Sequence, residues 1–90
     1  MAKNRSAMKR ARQALVRARR NAARKSAMKT AIKKFEQSLA TGDRALIEAA
    51  YKRAIKLIDK TASKGVIHPN KRDRKKSQLT RKLNQVLAAM

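Results

Sequence analysis

His68 is the only histidine in the 90-residue chain, and it stands in the turn-like stretch KGVIHPN between Lys64 and Asn70. An imidazole in a turn could in principle act as a general base. Such a base needs a nucleophile to deprotonate and a carboxylate to orient it, and the sequence offers neither beside it. The five acids, Glu36, Asp43, Glu48, Asp59 and Asp73, are scattered rather than paired for acid–base work. With no cysteine and one histidine, the chain can build neither a thiolate nor a multi-histidine metal site. Gly42 and Gly65 are too far apart to frame a phosphate-cradling loop. Enzymatic chemistry is therefore not expected, nor are a cofactor, a bound metal or a small-molecule substrate.

The chemistry the chain does offer is cationic. Lys and Arg number 26 against 5 Asp and Glu, for a net charge of +21. Residues 1–35 hold thirteen bases and no acid: Lys3, Arg5, Lys9, Arg10, Arg12, Arg17, Arg19, Arg20, Arg24, Lys25, Lys29, Lys33 and Lys34. A solvated helix face normally mixes both signs, because i,i+4 pairs of opposite charge stabilise it and like charges repel. Neutralisation by phosphate explains why that repulsion is tolerated. Arginine supplies planar bidentate contacts to phosphate and lysine an adaptable point charge. Ser6, Asn21, Ser26, Thr30, Asn70 and Ser77 interleave with the bases and can hydrogen-bond phosphate or ribose. A second cluster, Lys71, Arg72, Arg74, Lys75 and Lys76, surrounds Asp73. Only Phe35 and Tyr51 are aromatic, and both stand where a core would use them, so stacking platforms for single strands are missing. The expected partner is folded, largely double-stranded nucleic acid, read through backbone and shape, with a turn or RNA contact as the role of His68. A sequence-independent DNA-compacting protein is the alternative.

These residues must be positioned by helices. Ala, Lys, Arg, Leu and Gln dominate and β-branched runs are absent. Gly42 and the Gly65-to-Pro69 turn divide the chain into three segments, predicting helices over about Arg5–Ala40, Asp43–Lys64 and Pro69–Ala88. Asp43 is placed to cap the second helix and His68 the third, with Pro69 at its first position. Gly65 suits the residue after a helix end, with Val66 folding back on the last turn. In the first helix Met8, Leu15 and neighbouring alanines share one side. Beyond Arg24 the stripe becomes Met28, Ile32, Phe35 and Leu39, and Met8 and Met28 read as packing residues. The second helix has a broad apolar face and three of the five acids, as an ordinary structural helix would. The third has a basic half followed by a packing half, Leu79, Leu83, Val86 and Leu87.

The core is small. Seventeen of the apolar residues are alanine, and Leu, Ile, Val and Phe together number only 16, a level at which a highly charged chain folds only marginally. The longest apolar run is VLAAM at the C-terminus, so no membrane span is expected. An interfacial membrane helix is disfavoured as well, because the N-terminal segment offers mainly alanine where Trp, Phe or Leu would be buried. With no apolar leader at the N-terminus, a cytoplasmic location is expected.

Two stretches, NAARKSAMKTAIKKFEQSLATGD and ASKGVIHPNKRDRKKSQLTRKLN, resemble the ribosomal protein S-twenty family of the bacterial small subunit, in the expected order along nearly the whole chain. The similarity extends weakly to KNRSAMKRARQ at the N-terminus. The resemblance implies three helices with a very long first one, direct binding to small-subunit ribosomal RNA, contact with other ribosomal components, and a role in assembly without catalysis. It implies residence in a bacterial or organellar small subunit. Carried over by position, Lys9, Arg10, Asn21, Arg24, Ser26, Lys29, Thr30, Lys33 and Lys34 fall in the matching first-helix segment. Lys64, His68, Asn70, Arg74, Lys75, Lys76 and Ser77 fall in the second, beside Lys71. Two positions depart from the family: Pro69 often corresponds to a lysine, and Asp73 to a small uncharged residue, so Asp73 is expected to pair with Lys76 or Arg72.

The sequence thus points to an all-α, extended three-helix bundle with a long, strongly basic first helix, in one domain of 90 residues. Its expected core is Ile32, Phe35, Leu39, Leu46, Ile47, Ile58, Leu79, Leu83 and Val86. Residues 1–24 are expected to form a projecting basic arm, poorly ordered until RNA supplies counter-charge.

Overall fold

Helix-forming composition and well-placed punctuation give three helices, α1 (Ala2–Ser38), α2 (Arg44–Ser63) and α3 (Pro69–Ala89). The computed structural model describes residues 2–90, with side chains from Arg5 onward. Each junction closes through local chemistry. At the end of α1, the Thr41 hydroxyl donates to the Ser38 carbonyl at 2.6 Å and Gly42 takes φ +70°. The Leu46 amide donates to Asp43 Oδ1 at 3.2 Å, so the carboxylate caps α2. At the other end of α2, Gly65 adopts φ +74°, which only glycine takes without strain. The Gly65 amide bonds to the Ala62 carbonyl and that of Val66 to Thr61, the paired bonds of a Schellman stop. The His68 Nδ1 accepts from the Asn70 amide at 3.1 Å, and Pro69 occupies the first helical turn.

Asp43→Ala should lower stability by about 1 kcal/mol, whereas Asp43→Asn, which keeps the acceptor, should cost less than half of that. Urea unfolding followed by circular dichroism measures both.

The molecule is elongated, 68 × 22 × 13 Å, with a radius of gyration of 18.1 Å. A compact chain of this length would have about 12 Å. α2 packs closely against both neighbours, while among the described residues no Cα of α1 comes within 8 Å of one in α3. The core comprises Met28, Ala31 and Phe35 from α1, Ile47, Ala54 and Ile58 from α2, Ile67 from the second turn, and Leu79 and Leu83 from α3. Phe35 and Tyr51 meet at a ring-centroid distance of 5.8 Å, tilted by 56°. The Tyr51 and Thr80 hydroxyls share a hydrogen bond of 2.8 Å between α2 and α3. Two buried hydroxyls are satisfied within their own helices, Ser38 on the Phe35 carbonyl and Thr61 on the Leu57 carbonyl.

Three expectations about packing change. Leu46 is 49% exposed rather than buried, on the rim of an open cavity between α1 and α2 that no other element covers. Met8 is 59% exposed, since no element covers the N-terminal part of α1. Ile32, Leu39 and Val86 are only half-buried against the core. The inward stripe of α1 is Met28, Ala31, Phe35 and Ser38. It is turned slightly from the expected stripe, so that Ala31 and Ser38 are buried where Ile32 and Leu39 were expected.

Candidate nucleic-acid interface

α1 from Arg5 through Ala23 is exposed at every position, and it carries Arg5, Lys9, Arg10, Arg12, Arg17, Arg19 and Arg20 with Asn21. A helix spaces successive residues by about 100°, so these bases surround the rod rather than line one edge. Lys3 lies outside the residues whose side chains are described. Further along, Lys25, Lys29 and Lys33 are exposed on one flank of α1, by their spacing, and Ser26, Thr30 and Lys34 on the other. Arg24 is half-buried where α1 meets the last turns of α2.

The second basic region is the first half of α3. His68, Asn70, Lys71, Arg74, Lys75 and Gln78 line a surface concavity of about 490 Å³. The turn and the helix start bring these residues together, since α3 begins at Pro69 and positions 71, 74, 75 and 78 share a face. His68 has a double use, as cap through Nδ1 and as an exposed rim of this concavity. Lys64 and Ser77 are exposed nearby in sequence but do not line it. Lys76 points elsewhere: its Nζ lies 3.1 Å from Asp59 Oδ1 and ties α3 to α2.

The acids show how the surface is arranged. Asp73 pairs with Arg72 at 3.0 Å, one of the two partners expected for it. Glu36 holds Lys82 at 3.0 Å and bridges α1 to α3, while Glu48 pairs with Arg44 one turn away. Asp43 is the α2 cap. All these ion pairs are substantially exposed, so each adds at most about 1 kcal/mol to stability. Their larger consequence is that every acid is engaged by an arginine, a lysine or a helix start, and none faces the α3 concavity or the exposed run of α1. The positive field of these two regions is left uncancelled.

α2, expected as an ordinary structural helix, also carries exposed bases beside α1. Arg53 and Lys60 are exposed there and face α1, Arg53 beside Lys34 and Lys60 beside Arg20 and Arg24. The spacing 53, 57, 60 gives them one face, but only the docking of α1 shows which helix that face meets. Among the described residues no helix is long and apolar enough to cross a membrane, and no group of three or more acids and histidine could hold a metal ion.

Comparison with known proteins shows the family of the chain. The family model described as ribosomal protein S20 matches residues 2–84. The chain is 48% identical to the small ribosomal subunit protein bS20 of Nitrosococcus oceani over 79 residues, covering 88% of this chain and 91% of that protein. It is 47% identical to bS20 of Geobacillus thermodenitrificans over 89 residues, covering 99% of this chain and 100% of that one. For bS20 of Desulforamulus reducens the identity is 44% over 81 residues, or 90% and 92% of the two chains. The chain, a three-helix rod with its acids tied up and most of its bases exposed, matched along nearly its whole length, belongs to the ribosomal protein S20 family.

Proposed function

We propose that this chain is a structural component of the small ribosomal subunit that binds small-subunit ribosomal RNA directly and stabilises its folded form during assembly. The observation that carries this reading is the cationic surface formed by the acid-free run of α1 up to Lys34 and by the acid-free concavity at the start of α3. RNA segments repel one another through their phosphates, and a rod basic on several sides lets two of them approach. The core and the α2–α3 bonds set the angle of the rod. The exposed run from Arg5 through Ala23 is the part that reaches away from the body, and RNA supplies the counter-charge that holds it helical. The protein works where small subunits assemble, in the bacterial cytoplasm or an organelle, with RNA and other ribosomal components as neighbours and no chemistry of its own.

The test is retention. The protein should cosediment with small subunits through high-salt gradients, and in vitro it should stay on deproteinised bacterial small-subunit ribosomal RNA when duplex DNA is added in tenfold mass excess. Absence from the subunit fractions would defeat the proposal, and equal partition onto the DNA would favour a sequence-independent compacting protein instead.

A further inference from the structure

α1 and α2 do not meet flush along their whole length. Three adjoining cavities of about 440, 460 and 320 Å³ follow the seam between them, sharing Ala31, Lys34 and Arg53 at one junction and Ala23, Ala27 and Leu57 at the next. Together they make one open groove from Leu46 to Lys60, about 21 Å long at the helical rise of 1.5 Å per residue. Small residues form its floor, including Ala27 and Ala31 of α1 and Ala49 and Ala50 of α2. Cations stand over it from both walls: Lys34 and Arg24 from α1, Arg53 and Lys60 from α2.

The charge on this groove is one-sided. None of the residues lining the three cavities is an acid. The acids of α1 and α2 that lie near it in sequence turn the other way, Glu36 and Asp59 towards α3 and Glu48 towards Arg44. Lys34, Arg53, Arg24 and Lys60 form no ion pair among the described residues. A structural seam would gain from a carboxylate between facing cations, and this one has none. An apolar protein helix would have to desolvate those cations without a partner. A sugar–phosphate strand would neutralise them, lay its ribose faces on the alanine floor, and find hydroxyl partners in Ser26 and Thr30.

We propose that the α1–α2 groove is an RNA-backbone site in its own right, in which Arg53 and Lys60 of α2 oppose Lys34 and Arg24 of α1 across one sugar–phosphate strand. α2 is then a binding wall as well as the structural spacer that its apolar face suggests. The site is separate from the concavity at the start of α3, which shares no lining residue with it. The proposal rests on the ribosomal-RNA reading above and adds a location to it.

The experiment compares full-length wild type, the double variant Arg53→Gln/Lys60→Gln, and the α3 variant Lys71→Gln/Arg74→Gln/Lys75→Gln. Each is titrated against deproteinised bacterial small-subunit ribosomal RNA at several salt concentrations and footprinted with hydroxyl radicals. Arg53 and Lys60 are exposed, so the double variant should keep the wild-type circular dichroism spectrum. It should bind about tenfold more weakly at 0.15 M salt, with the salt slope reduced by about 1.5 to 2. It should also lose one contiguous run of protected riboses that the α3 variant retains. Wild-type affinity, slope and footprint in the double variant, alongside weakened binding by the α3 variant, would overturn the groove site and leave the ribosomal-RNA reading intact. Normal RNA binding by the double variant with loss from assembled subunits would also overturn it, by making the occupant a protein. Failure of the wild type itself to bind would remove both.

Discussion

Phe35→Ala should remove most of the cooperative unfolding transition of the free protein. Phe35 is completely buried and is the largest side chain in a core of few large residues. Truncating a buried phenylalanine typically costs about 3–5 kcal/mol through lost transfer energy and the cavity left behind. Losing the tilted contact with Tyr51 belongs to the same change, and such pairs are worth about 0.5–1.5 kcal/mol beyond their burial. Against a total stability of about 5–15 kcal/mol for ordinary domains, and less for a core this thin, little remains. Phe35→Leu fills most of the space and should retain a transition at a lower midpoint. Urea unfolding followed by circular dichroism at 222 nm, in moderate salt to screen self-repulsion, distinguishes the three proteins. A Phe35→Ala midpoint equal to that of the wild type would mean that the helices do not depend on this core.

The largest effect on binding should come from a region that contributes almost nothing to that core. Replacing Arg5, Lys9, Arg10, Arg12, Arg17 and Arg19 with glutamine removes six charges from an exposed stretch. If most of the six contact phosphate, the salt slope of RNA binding should fall by about 4–5, and affinity near 0.15 M salt by about 10³-fold. Stability of the body should change by less than about 0.5 kcal/mol, because these side chains touch no other element. Glutamine and arginine have similar helix propensities, so the substitution isolates charge. The same variant reports on order in the arm. Pairs such as Arg5 with Lys9 repel by about 0.2–0.5 kcal/mol each in a helix. The free wild-type protein at low salt should therefore show less helix than the continuous α1 of the structure contains, and should gain it on adding RNA. The glutamine variant should show more helix alone and gain little. Unchanged RNA affinity would mean that the body holds the RNA without the arm, and a fully helical free wild type at low salt would refute the counter-charge account.

Much of the fold was legible because it depends on local chemistry. Three helices followed from composition together with Gly42, Gly65 and Pro69, and both expected caps, Asp43 and His68, accept backbone amides of the first turns. These features need only neighbours a few residues away. Burial was less legible. Leu46 belongs by pattern to the apolar face of α2, yet it is half exposed, on the rim of an open cavity, because burial depends on which neighbouring element covers a position. Ala31 and Ala54, which carry no strong hydrophobic signal, are 4% and 0% exposed, because their burial comes from the helix docked over them and not from their own hydrophobicity.

The candidate interface divides in the same way. By itself the sequence determined the sign and excess of charge, the acid-free N-terminal third and the basic start of α3, since charge is a property of residues and not of their arrangement. Only the tertiary structure decided that Lys76 is spent on Asp59, that Lys82 reaches Glu36 across two helices, and that Arg53 and Lys60 stand opposite the bases of α1. Those are relations between residues far apart in the chain. Their cause is the docking of α1 and α3 on α2, which buries Phe35 and Ile58 in the core, directs Glu36 and Asp59 to the lysines of α3, and leaves the cations along the α1–α2 groove unopposed.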